Sequence, residues 1–154
     1  MDQKVTLDAN VEDAPNVMLS TPLNISGEIQ GGDSGYLKFQ QFPEGFSDGC
    51  VMHPVKNQRC YALRVRGDSM YPRIKHREVI VIDPDHPIEI GDEVVVSLKD
   101  ERQMVKVLSN KREGEVTLKS VNNNHSDINV KIEDINEMHF VAAIIPIGSI
   151  CRKV

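Results

Sequence analysis

The chain has 154 residues, 40% of them hydrophobic, which is enough for one domain with a core of ordinary size. Its formal net charge is −5, and this acidic balance argues against direct binding of nucleic acid, because phosphate recognition usually leaves a basic surface. Three cysteines cannot all pair, and no apolar stretch approaches the roughly 18–20 residues that cross a membrane or forms a secretory signal. We therefore expect reduced thiols and a cytoplasmic protein.

The first part of the chain lacks regular patterning. Residues 1–21 are polar and acidic with no sustained period, which predicts a flexible linker or arm. Residues 22–49 are rich in glycine and predict loops, broken by short extended pieces around 28–30 and 36–42. Two adjacent amphipathic helices, which a helix-turn-helix would need, are not predicted.

Strand signals dominate residues 50–154. The runs are rich in Val and Ile and are separated by turn residues such as those at 83–85 and 112–114. The predicted strands are 60–66, 78–83, 93–98, 103–109, 115–121, 128–132 and 138–145. This spacing predicts a compact, mostly antiparallel β domain, with short helical turns after Ser69 and around 133–135.

One lysine interrupts an apolar strand. Lys106 shares a predicted strand face with Met104 and Leu108, because side chains alternate along a strand. Removal from water disfavours the ammonium form and lowers a lysine pKa, so a buried Lys106 can act as a base. The plainer interpretation is a lysine whose charged end reaches solvent from an edge strand.

A serine follows the alternating strand 60–66. Gly67 ends that strand and Pro72 restricts the chain soon after, so Ser69 lies on a turn at the end of a rigid element. Such a serine often only makes local hydrogen bonds. Together with a neutral lysine, however, it supplies the two groups of a Ser-Lys nucleophilic site.

Four motifs in this order resemble a known family. They are YALRVRGDSMYP at 61–72, VIVID at 79–83, GDEVVV at 91–96 and MVK at 104–106. The combination is similar to the C-terminal domain of LexA-type and phage cI-type repressors and to the UmuD mutagenesis proteins. The resemblance covers roughly residues 22–146. It implies a LexA C-terminal-domain-like β fold in which residues 50–154 form the catalytic and dimerisation core.

The resemblance also implies a reaction on the protein's own chain. Ser69 would be the nucleophile and Lys106 the general base. The matching scissile bond in the 22–49 region is Gly31–Gly32, although the family usually has alanine or cysteine before the cut. This departure leaves open slow cleavage, inactivation by an antirepressor protein, or a plain flexible loop at this position.

Partners follow from the same resemblance. A homodimer is expected, with RecA filament or an antirepressor as a further partner, and with DNA bound only through a helix-turn-helix domain absent from this chain. The apolar run 139–147 ends near Pro146, which cannot donate to a β ladder, so we predict an edge strand at or near the dimer interface.

Three alternatives remain at this point. The chain resembles a UmuD-like self-processing subunit of a translesion polymerase, or a signal-peptidase-like Ser-Lys protease, or it is an interaction module whose dyad is vestigial. Cys50, His53 and Cys60 have ligand-like spacing, but a fourth ligand is missing, so neither a metal nor a cofactor is predicted.

Overall fold

The computed structural model describes residues 22–151 except for 32–36, 42, 44–48, 56, 69 and 123; for residues 30, 31 and 37–41 it describes the backbone alone. The predicted arm at 1–21 lies outside this range. The strands are β1 (Leu23–Gly31), β2 (Leu37–Gln41), β3 (Cys50–Val51), β4 (Tyr61–Arg66), β5 (Val79–Asp83), β6 (Glu93–Leu98), β7 (Gln103–Arg112), β8 (Glu115–Lys119), β9 (Ile128–Lys131) and β10 (Ile135–Ile145). Two 3-10 turns, η1 (Ile132–Asp134) and η2 (Ile147–Ser149), complete the list.

These strands form one sheet in the order β2-β1-β4-β5-β10-β6-β7-β8-β9, with β3 paired to β1. Strands β1 and β4 are parallel, and the other pairs are antiparallel. Leu37 of β2 also pairs with Gln103 of β7, so the strand at one end of this order contacts a strand in the opposite half of the sheet. The predicted mostly antiparallel β fold is confirmed.

The seven strands predicted between residues 60 and 145 are all present. Strand β5, which lies between β4 and β10, is buried at every residue, because Ile80 and Ile82 belong to one core cluster and Val79 and Val81 to a second. The helical turn predicted at 133–135 is confirmed as η1. After position 69 the chain makes a single turn in which the Ile74 N–H donates to the Met70 carbonyl at 2.9 Å.

The glycine-rich region contains more regular structure than its sequence predicts. Strand β1 has nine residues and hydrogen-bonds to β2 on one side and to β4 on the other. Ile25 and Ile29 are fully buried, and Gly27 shares their buried face. Pairing on both sides and two buried isoleucines therefore offset the low strand propensity of glycine.

The predicted edge strand near the C-terminus is the second half of β10. Residues 135–140 of β10 pair with β6 and residues 140–145 pair with β5, so among the described residues 141–145 have a ladder partner on one side alone. Pro146 comes directly after β10, and its missing N–H ends the ladder there. The location of the dimer interface at this segment stays a prediction. None of the helical segments in the described part of the chain is long or apolar enough to cross a membrane.

Candidate active site

Lys106 lies in the middle of β7, and its side chain is buried in the core. Only 1% of the residue is exposed, and Met104 and Leu108 on the same face are buried as well. On one side Lys106 pairs with Val94 of β6, and on the other side β7 pairs with β8. The burial predicted from strand parity is thus confirmed, and the alternative of a solvent-exposed lysine at a sheet edge is excluded.

Among the described residues, a neutral hydroxyl is the hydrogen-bond partner of the buried amine. Lys106 Nζ donates to Ser120 Oγ, and Ser120 is itself buried directly after β8. Burial lowers the pKa of Lys106, while the charge of Asp127 acts in the opposite direction and raises it. At a given pH, more of this amine is therefore unprotonated than in an exposed lysine, which is the state a general base requires.

Hydrogen bonds and burial hold the chain in place both before and after position 69. At the base of the turn around this position the Val65 N–H donates to the Glu78 carbonyl at 2.8 Å, and the Arg77 N–H donates to the Val65 carbonyl at 2.7 Å. Gly67 has a φ of 96°, a conformation that favours glycine. Met70, directly after position 69, is 1% exposed. Ser69 lies outside the described residues, so its prediction as nucleophile stays a prediction.

A loop at 120–127 contacts both the lysine and the turn. Besides the Ser120 contact with Lys106, Asn122 Nδ2 donates to the Asp68 carbonyl at 3.0 Å. His125 Nε2 lies 3.8 Å from a carboxylate oxygen of Asp68. Because Ser120 and Asn122 are two residues apart, they span at most about 7 Å of extended chain. The residue before position 69 and the Lys106 amine therefore meet at the same loop.

Sequence reasoning missed Ser120, Asn122 and His125. Polar residues in a loop carry no periodic signal, and the register that aligns Ser120 with Lys106 depends on an irregularity between Leu108 and Asn110. If the register at the tight turn 113–114 continued unchanged along the hairpin, Ser120 would lie opposite Val107 instead of Lys106.

The predicted scissile residue Gly31 ends β1. Gln30 is in parallel register with Arg66, the last residue of β4, and Arg66 donates twice to the Glu28 carboxylate at 2.7 and 2.9 Å. Gly31 also pairs with Leu37, which in turn pairs with Gln103 of β7. The end of β1 is therefore next to β4, the strand that precedes position 69, and is connected through β2 to β7, the strand that contains Lys106. Gly32 lies outside the described residues.

The described residues contain no group of three or more His, Cys, Asp or Glu side chains that could hold a metal ion. Cys50, His53 and Cys60 therefore do not form the metal site that their spacing left open.

We predict that Asp127→Asn lowers the pKa of Lys106 further, because it removes the charge that raises it. The titration midpoint of the Lys106 Cε resonance, followed by NMR in protein labelled at lysine, should move to lower pH. Asp134→Asn, at an exposed acid of η1, is the matched control and should leave the midpoint in place. An unchanged midpoint in the Asp127 variant would contradict this account of the site's electrostatics.

We predict that Ser120→Ala destabilises the protein by about 1–3 kcal/mol, because the buried amine loses its hydrogen bond to the Ser120 hydroxyl. Ser120→Thr keeps a hydroxyl and should lose less. Ser126→Ala, at an exposed serine of the same loop, should change the free energy of unfolding by less than about 0.5 kcal/mol. Urea denaturation measures all three, and equal stability of the two alanine variants would mean that the Ser120 contact is unimportant.

The sequence of this chain is similar to a known protein family and to curated proteins. Residues 24–145 match the family model described as Peptidase S24-like. Curated relatives include the HTH-type transcriptional regulators for conjugative element R391 of Providencia rettgeri and for conjugative element SXT of Vibrio cholerae. Each is 34% identical over 104 residues, which cover 61% of this chain and 45% of the relative, so the chain spans about half the length of these relatives. With most of its length inside the matched region, the chain belongs to the Peptidase S24-like family.

Proposed function

We propose that this chain is the C-terminal domain of a LexA/cI-like transcriptional repressor, which mediates dimerisation and Ser-Lys self-cleavage. The observation that carries the proposal is the buried Lys106 amine, with its lowered pKa, joined through the loop 120–127 to the turn before position 69. The relatives' names as HTH-type transcriptional regulators support the repressor role over the UmuD-like and signal-peptidase-like alternatives.

In the proposed reaction, the neutral Lys106 Nζ takes the proton of Ser69 Oγ, and Oγ attacks the carbonyl carbon of Gly31. When the bond between Gly31 and Gly32 breaks, the Lys106 ammonium gives its proton to the departing amine of Gly32. Water then hydrolyses the ester on Ser69 and restores the hydroxyl. Because nucleophile and peptide bond belong to one chain, the attack is intramolecular, which lowers its entropic cost.

The position of Gly31 supports this assignment of the cut. Its strand runs beside β4 as far as Arg66, three residues before Ser69, and its partner Leu37 contacts β7 three residues before Lys106. We assign residues 1–21 to an arm or linker, 22–49 to the cleavage-site region, and 50–154 to the catalytic and dimerisation core.

Incubation of the purified protein at alkaline pH tests the proposal. Mass spectrometry should find two products, residues 1–31 and 32–154, at a rate that rises with pH as Lys106 loses its proton. Ser69→Ala and Lys106→Ala should abolish the reaction, while Ser126→Ala should cleave like the parent. Gly31→Ala should speed cleavage by lowering the conformational entropy of the free segment, and Gly32→Pro should stop it.

A new terminus elsewhere would refute the Gly31–Gly32 assignment, and equal cleavage in the Ser69→Ala protein would refute the nucleophile. A rate that is flat from mildly acidic to strongly alkaline pH would remove Lys106 from the role of base.

We also propose that the domain forms a homodimer in the cytoplasm, that it responds to RecA filament or an antirepressor, and that DNA binding belongs to a helix-turn-helix domain outside this chain. Repressors of this type bind paired half-sites as two-fold dimers. We expect the interface at or near 139–147, because among the described residues 141–145 of β10 pair with β5 alone and leave one edge for a second chain. Sedimentation at micromolar concentration should show a dimer; a monomer alone would contradict this part of the proposal.

A further inference from the structure

Two of the three cysteines lie directly opposite each other in the sheet. Cys50 of β3 and Cys151, just after η2, form an antiparallel bridge. The Cys50 N–H donates to the Cys151 carbonyl at 2.9 Å, and the Cys151 N–H donates to the Cys50 carbonyl at 2.8 Å. In such a hydrogen-bonded pair the Cα atoms are about 5.5 Å apart, which falls within the range of about 4.4–6.8 Å seen in disulfides.

The surroundings of the three thiols differ. Cys151 is exposed and Cys50 is half-buried, so a small oxidant can reach this pair. Cys60, in contrast, is buried, and its Sγ lies 3.7 Å from Asn57 Oδ1 as a weak hydrogen-bond donor. The three cysteines are thiols in the structure. The chain thus has one accessible pair with matched backbones and one buried thiol that serves as an internal control.

We propose that Cys50 and Cys151 form a reversible intramolecular disulfide when the protein meets a peroxide. The thiolate of one cysteine attacks hydrogen peroxide and becomes a sulfenic acid, with loss of hydroxide, which is protonated to water. The second thiolate then attacks the sulfenic sulfur, forms the S–S bond and releases the second oxygen as water. Two thiols and one peroxide thus give one disulfide and two waters, and a dithiol reductant reverses the oxidation.

The separation of the two Cβ atoms would make the proposed Cys50–Cys151 disulfide easy to reduce. Directly opposite residues in a hydrogen-bonded pair hold their Cβ atoms about 5.5 Å apart, while a disulfide needs about 3.5–4.5 Å. The two Cβ atoms must therefore approach by at least about 1 Å through local twisting, because the N···O distances of 2.8 and 2.9 Å leave the backbones no room to come closer. A disulfide formed under such strain, and exposed to solvent, is more easily reduced than an unstrained buried one.

The bond would fasten the C-terminal segment 147–151 to the strands beside it. A Cβ added at Gly49 would lie 2.7 Å from the Cys151 carbonyl oxygen, so these two backbones already touch. Cys50 pairs in turn with Asn24 of β1, and the Ile25 N–H donates to the Gly49 carbonyl at 3.0 Å. Oxidation would thus link β1, β3 and the C-terminal segment into one unit.

Peroxide treatment of a Cys60→Ala protein tests the proposal, because only the pair remains. Digestion without reductant, followed by mass spectrometry, should show the Cys50 and Cys151 peptides joined, with the loss of two hydrogens and recovery of both thiols after dithiothreitol. Closing a loop of about 100 residues should raise the unfolding temperature on the order of 10 °C, and Cys151→Ser in the same background should show neither effect.

The proposal would be overturned if dilute protein gave only disulfide-linked dimers, or if Cys151 were oxidised to sulfinic acid while Cys50 stayed a thiol. Oxidation of the parent protein that consumed Cys60 as readily as Cys151 would also overturn it, since the pairing would then not determine which thiols react.

Discussion

The candidate site depends on one energetically unfavourable feature, the burial of the Lys106 amine away from water. Burying a cation costs more than burying almost any other group, and the protein reduces this cost by favouring the neutral amine and by placing the Ser120 hydroxyl against it. Strands β6, β7 and β8 supply the apolar surroundings that make this possible. Their packing is therefore part of the chemistry as well as of the stability.

A second requirement is that two distant parts of the chain keep a fixed relation. Position 106 comes 37 positions after position 69 in the sequence. The turn at 67–70 is attached to the sheet through β4 and β5, whereas Lys106 belongs to the other half of the sheet. The loop 120–127 joins the two halves, because Ser120 and Asn122 face different partners across a very short stretch of chain. Hydrogen bonds to a backbone carbonyl and to an amine position more narrowly than apolar contacts do.

The sequence allowed the core strands and the buried lysine to be predicted, because period-two patterning and a lone charge in an apolar run are local signals. It allowed an extended piece around residues 28–30 to be predicted, but not the full length of β1 or the role of Ser120. The full strand depends on pairing with β4, which is distant in sequence, and the contact of Ser120 with Lys106 depends on a register shift after Leu108 that has no signal in the residue types. Pro146 alone could not fix the position of β10, because the absence of an N–H is equally compatible with an edge and with the end of a strand between two others.

The placement of β1 has a consequence for the products of the proposed cleavage. A cut after Gly31 leaves all nine residues of β1 on the N-terminal product, yet this strand is hydrogen-bonded between β2 and β4 and contributes the buried Ile25 and Ile29 to the core. Breaking one peptide bond removes none of these interactions. The two products would thus stay associated as a nicked protein, and their separation would be governed by the rate at which a strand leaves a sheet.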